Sequence, residues 1–262
     1  VTISVDAIST KDENTYYGPT PFLPKTISHP GGTGLGGVLI YSSTRMAPSV
    51  DMLHDFTYAG VSVPEISGSP FNLLFGYHTT VGLIRLRTQV YMLSGIPDGT
   101  QDVVVTPTVD DSFYENTRPS LVIITLNSDN GGIALDATAT LNTTTGDGYV
   151  DTDDVVSDPG VDITCSAQAF LSANLQSDWD SVGDFSHGPQ SDCTNIFLDD
   201  YGIDMSCTLR RTNIEPAGAY HMGWVTQDFN YPTITAAPCS VIGTAIIEAG
   251  TPEPDGVWAW IE

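Results

Sequence analysis

Nowhere in this chain does a window of twelve or more residues place apolar side chains at i, i+3, i+4 and i+7 without a glycine or proline nearby. A chain with no helical period must satisfy its backbone amides in sheets. Short stretches rich in Val, Ile, Thr and Tyr do recur, separated by clusters of Gly, Pro, Asn and Asp. They mark strands at 2–9, 37–44, 55–63, 81–93, 101–107, 120–128, 134–141, 161–165, 167–174, 204–211, 219–226 and 240–248. The expected fold is an all-β, antiparallel β-sandwich of jelly-roll type, with about 10–12 short strands in one domain over 1–262. Residues 83–91 alternate polar and apolar in part, as a strand with one wet face does, whereas 101–106 read as a strand buried on both faces. Three long segments, 11–29, 143–162 and 176–201, read as loops, the latter two acidic.

Charge narrows the function classes. The chain carries 32 acidic and 8 basic residues, a formal net charge of −24, with 25 Asp against 7 Glu and only two lysines, Lys11 and Lys25. So few cations exclude a free-standing nucleic-acid binder, which must displace phosphate counterions, and a polybasic hold on anionic lipid. Hydrophobic residues at 40% supply enough apolar material for a core, so the chain is not an acidic disordered tail. Asp excess with little lysine fits a surface built for concentrated salt, where the Debye length of about 3 Å at 1 M screens carboxylate repulsion. No run of eighteen apolar residues marks a membrane-spanning helix, and the start, Val1 to Asp6, has neither a basic nor an apolar leader region.

Several segments, in fixed order, carry a resemblance. They are Ile3-Ser4-Val5-Asp6-Ala7, Thr26-Ile27-Ser28-His29, Gly37-Val38-Leu39-Ile40-Tyr41, Asp55-Phe56-Thr57-Tyr58-Ala59-Gly60-Val61, and the stretch from Val90 to Val105. The fourth resembles the "VTYGGV" hairpin of a family of β-sandwich structural proteins of tailed viruses, and the fifth resembles that family's "YYLLNPATGTHTVTVT" stretch. The resemblance covers about residues 1–141 and implies a jelly-roll-like sandwich on a virion, as capsid decoration, turret or tail appendage. It brings no catalytic residues. Without it, Pro97-Asp98-Gly99 still reads as a tight turn joining two strands.

Signals for chemistry are few. There is no Gly-x-Ser-x-Gly elbow, Walker loop or His-Glu-x-x-His, and the five histidines show no ligand spacing. No catalytic residue and no required cofactor is expected. The segment from Gly146 to Asp154 resembles the second half of a calcium loop, with Asp147, the Tyr149 carbonyl, Asp151 and Asp154 at ligand positions for Ca²⁺ or Mg²⁺. Thr143 and Thr145 stand where further oxygen ligands belong, so a solvated Asp-rich loop is the competing reading. Cys165, Cys193, Cys207 and Cys239 form no C-x-x-C pair, which leaves disulfides or buried thiols.

Aromatics in polar loops are candidates for glycan or partner contact: Tyr16, Tyr17, Trp179 and Phe185. The end of the sequence, Val257-Trp258-Ala259-Trp260-Ile261, reads as an apolar strand, 257–261, in which Val257, Trp258 and Trp260 dock a neighbouring subunit. The expectation is a non-enzymatic virion structural protein at the surface of an extracellular particle in a haloarchaeal, high-salt setting. It acts by assembly with copies of itself, as trimer or pentamer, and with other virion proteins, and contacts host-surface glycans. It involves neither nucleic acid nor membrane insertion. The alternative is a lectin-like, carbohydrate-binding adhesin module.

Overall fold

A computed structural model describes residues 3–12, 25–31, 36–46, 54–68, 72–74, 84–107, 118–129, 131–142, 160–178, 185–200, 204–228 and 239–250. The N-terminal half holds β1 (Ile3–Asp12), β2 (Lys25–His29), β3 (Gly36–Met46), β4 (His54–Tyr58), β5 (Val61–Val63), β6 (Glu65–Gly68), β7 (Asn72–Leu74), β8 (Ile84–Ser94), β9 (Gln101–Pro107) and β10 (Arg118–Ser128). The C-terminal half holds β11 (Ile133–Asn142), β12 (Gly160–Cys165), β13 (Ala169–Asp178), β14 (Phe185–Pro189), β15 (Cys193–Asp200), β16 (Asp204–Arg211), β17 (Gly218–Asp228) and β18 (Cys239–Glu248).

The strands pair from the outside in. β1 pairs β10, β2 pairs β9, β3 pairs β8 and β4 pairs β5, all antiparallel. This is one long hairpin rolled up, and it yields two sheets: sheet I, in the order β2-β9-β4-β5, and sheet II, in the order β1-β10-β3-β8-β6 with β7 also on β8. The second half repeats the scheme, pairing β11 with β18, β12 with β17 and β13 with β16. Its sheets are III (β11-β18-β13-β16-β15) and IV (β12-β17-β14). Each half is a jelly roll. The all-β antiparallel expectation holds.

Strand number and some boundaries differ from the expectation of about a dozen. The described residues contain eighteen strands. Of the expected loop 11–29, the first two residues extend β1 and Lys25–His29 form β2; of 143–162, the last three belong to β12. The stretch 176–201 holds the end of β13 and all of β14 and β15. Its strands were hidden because β14 is a short edge strand containing Gly and Pro, and β15 is bent by a bulge between Asn195 and Phe197.

The four sheets stack as layers I, II, III and IV, with a core in each gap. Val38, Ile40, Phe56, Tyr58, Tyr91 and Val103 are among the residues filling the gap between I and II. Leu39, Ile124, Leu126, Phe170, Ile242 and Ile246 fill the gap between II and III. Leu171, Leu175, Val161, Ile163, Met222 and Trp224 fill the gap between III and IV. Sheets II and III are therefore covered on both faces, so β10 and β18 read as nearly unbroken apolar runs. The partial alternation in β8 marks no wet face: Thr88, Gln89, Val90 and Tyr91 are all buried. β9 is the reverse case. It lies in an outer layer, with Val103 and Val105 inward and Val104 half-exposed.

The halves also repeat each other in sequence. β1 opens Ile3-Ser4-Val5-Asp6-Ala7 and β11 opens Ile133-Ala134-Leu135-Asp136-Ala137, and each bulges at its Asp. Across the middle gap, β3 faces β13, β8 faces β13 and β18, β1 faces β13 and β15, and β6 faces β11. The lateral order of sheet III thus runs opposite to that of sheet II. The two rolls are related by an approximate two-fold axis along the strands, through facing β3 and β13.

Candidate functional site

The middle gap is apolar at one end and polar at the other. On β13, Phe170 is followed on the same face by Ser172, Asn174 and Gln176; on β18, Ile246 is followed by Thr244, Ile242 and Ser240. All these polar residues are buried, and hydroxyl groups meet across the gap. Tyr41 Oη lies 2.6 Å from Thr244 Oγ1 and 2.8 Å from Ser172 Oγ. Thr88 Oγ1 lies 3.1 Å from Ser240 Oγ, and Asn174 Nδ2 donates to Thr208 Oγ1 at 2.8 Å. Burial pushes the Tyr41 phenol up to about 12 despite its two hydroxyl partners, so it stays neutral. Buried hydroxyls that satisfy one another fix the register of two sheets and carry no reactive group.

These contacts also orient the rolls. Thr88 and Ser240 lie toward the start of their strands, while Ser128, which donates to Glu248 at 2.8 Å, lies where β10 and β18 finish. Like ends of the two rolls are therefore side by side. At one end leave and re-enter the connections 13–24, 47–53, 75–83 and 108–117 of the first roll, and 143–159, 179–184, 201–203 and 229–238 of the second. Half of the chain's aromatic residues lie on these segments. At the opposite end are the connections 30–35, 59–60, 95–100, 129–132, 166–168, 190–192 and 212–217, which hold no aromatic residue.

Tyr16, Tyr17, Trp179, Asp147, Tyr149, Asp151 and Asp154 lie outside the described residues, but the connections that carry them all attach at the same end. Val257, Trp258 and Trp260 are also outside the described residues, beyond β18, which runs toward the other end. Phe185 is the first residue of β14, opposite Asp228 on β17. Among the described residues, no group of three or more His, Cys, Asp or Glu could hold a metal.

The four cysteines are buried thiols, none bridged to another. Register explains why no disulfide joins those of sheet III. Cys207 pairs with Leu175 and Cys239 with Ser177, so β13 separates them by roughly 10 Å or more, beyond the ~7 Å that a disulfide spans. Cys193 pairs with Arg211 on β16, four residues from Cys207, or about 13 Å along the strand. Cys165 directs its thiol at the carbonyl oxygens of Pro216 and Gly218, at 3.3 and 3.5 Å. At the end bearing the short turns, Arg211 binds Glu215 at 2.8 Å and Asp192 at 3.4 Å and stacks over Tyr220, 5.0 Å from its centroid.

Sequence reasoning missed two histidines and a tryptophan that join sheets. His29 Nδ1 lies 2.8 Å from Ser9 Oγ, and its Nε2 lies 3.3 Å from Thr125 Oγ1. His54 Nδ1 lies 3.3 Å from Ser42 Oγ. Each histidine belongs to sheet I and each partner to sheet II. Between sheets III and IV, Trp224 Nε1 donates to Cys207 Sγ at 2.7 Å. No local signal marks them: His29 and His54 stand at the end and the start of short strands that also carry a lysine and an aspartate, Lys25 and Asp55.

No family model matches the chain, and no curated protein or solved structure is similar to it.

Proposed function

We propose that the chain is a structural subunit of a virion, built into the capsid or a surface appendage, that acts by assembly rather than catalysis. The observation that carries this reading is the pairing of two like jelly rolls with like ends side by side. Such a body has two unlike ends, which suits a subunit that must present one end to a particle and the other outward. Jelly rolls recur in capsid and lectin domains. The fold alone does not choose between them. The charge of −24 favours a surface exposed to concentrated salt, where it keeps particles soluble and apart. In this reading the partners are copies of the same chain, as trimer or pentamer, and other virion proteins. The aromatic connections, with Tyr16, Tyr17 and Trp179, face the host surface.

The test is the composition of particles. Virions purified from the source culture should contain this chain in stoichiometric amount, with density for paired rolls in the shell or an appendage. Recovery of the chain only from particle-free fractions would overturn the reading. A lectin-like adhesin is the second reading, favoured by the aromatics gathered on connections at one end. It requires glycan-array binding that is lost in Trp179→Ala.

A further inference from the structure

We propose that the two rolls are latched differently, so that mild acid opens the N-terminal roll and leaves the C-terminal roll closed. The latches of the first roll are His29 and His54, which reach from sheet I to hydroxyls on sheet II. They occupy opposite ends of one core, His29 closing β2 and His54 opening β4, with 0% and 3% of their surface exposed. In the second roll, the residue that closes β12 as His29 closes β2 is Cys165, whose thiol points at the carbonyl oxygens of Pro216 and Gly218. Side-chain bonds between its sheets run from Trp224 to Cys207 and from the Arg211 guanidinium to the His221 carbonyl, and none of these groups takes up a proton at mildly acidic pH.

Around His29 stand Asp6 on β1, Tyr58 on β4, whose ring meets the imidazole edge-on at 6.3 Å, and the neutral Ser9 and Thr125. Asp6 attracts a proton to His29, but burial is the larger effect. Around His54 stand Phe56 and Ser42, while the charged groups Glu65, Arg87 and Asp55 act on Tyr91 of β8, whose ring lies 4.6 Å from that of Phe56. Burial lowers both imidazoles to about 4, from 6.5. The opened roll, with its histidines in water, therefore takes up protons between about pH 6.5 and 4 that the closed roll refuses. Stability from these groups is complete above that window and falls as pH falls through it. From pH 7 to pH 5 the opening equilibrium rises about 20-fold per histidine, and about 500-fold for the two together. At pH 5 ordinary carboxylates, which titrate near 4, are still mostly ionised, so the histidine effect is read apart from theirs.

Hydrogen exchange on the full chain at constant high salt tests the proposal, with rates corrected for the intrinsic pH dependence of exchange. Peptides covering β2, β4 and β9 should lose protection between pH 7 and pH 5, while those covering β12 and β17 keep it. The double variant His29→Gln, His54→Gln should show no such difference. Equal behaviour of the two rolls in the wild-type protein would overturn the proposal, as would an acid response that survives in the variant. Should the variant fail to fold, the imidazole C2 proton shifts of the wild-type protein decide: histidines titrating near 6.5 inside the closed roll refute the latch, and values near 4 support it.

Discussion

Replacing Tyr41 by Phe removes one oxygen atom from the middle of the four-layer stack and leaves the ring in place. That oxygen lies 2.6 Å from Thr244 and 2.8 Å from Ser172, and Tyr41 is fully buried. Each lost hydrogen bond is worth about 1 kcal/mol net. Ser172 and Thr244 lie 3.3 Å apart and can satisfy each other, which keeps the loss below the full cost of orphaned hydroxyls. The expected destabilisation is about 1–2 kcal/mol. For a chain of this size that lowers the melting temperature by roughly 3–6 °C. The assay is reversible thermal or denaturant unfolding at high salt, run as a double-mutant cycle with Thr244→Val. The coupling energy should be about 0.5–1.5 kcal/mol, because the two side chains belong to different rolls and meet only when sheets II and III are in register. A Tyr41→Phe protein as stable as the parent, or a coupling energy of zero, would refute the argument that these hydroxyls fix the register.

Three further outcomes follow from the same geometry. Gly243→Ala on β18 should cost about 1–3 kcal/mol by overpacking, since its Cβ would lie 2.6 Å from Val161 Cγ2 and Ile163 Cδ1 across the gap to sheet IV; an unchanged denaturation midpoint would count against that packing. The cysteines should resist a thiol reagent in the native protein and all four should react after unfolding without reductant; fewer than four would reveal a bridge. The melting temperature should fall as NaCl is lowered from molar to millimolar, because screening of the −24 net charge is lost; a flat salt dependence would remove the argument that the charge is matched to brine.

The sheet character of the chain was plain in its residues, and the reason is local. Val-, Ile- and Thr-rich stretches ended by Gly, Pro and Asp punctuation define strands whatever they pack against. The layering was not legible, because periodicity reports solvent only if buried polar groups are rare. Thr88 and Gln89 look like solvent-facing residues, yet Thr88 meets Ser240 across the middle gap and Gln89 donates to Glu65 at 2.9 Å. Once such partners exist, a polar residue ceases to mark water. The repeat was present in the sequence, in Ile3 to Ala7 and Ile133 to Ala137, but these segments share only three of five residues and much of the rest has diverged. Of the candidate site, the aromatics on connections were visible; the attachment of those connections at one end was not, since it depends on how two rolls stand against each other. His29 and His54 could not have been singled out, because nothing local separates an imidazole that joins two sheets from one in water.

The one-ended arrangement of the longer connections has a bearing on how such a chain can change. Doubling the length of a connection costs only about 0.6 kcal/mol of closure entropy, and the connections join strand ends rather than strand centres. Added residues there extend the molecule in a single direction and leave the layers as they are. The opposite end has little such freedom: its turns are tied down by bonds such as those from Ser166 to the Asp136 carboxylate and from the Ala249 amide to the Gly132 carbonyl. A lineage of such proteins would therefore vary in height far more than in girth, and a lattice formed through their sides would tolerate new outward-facing surfaces without being redrawn.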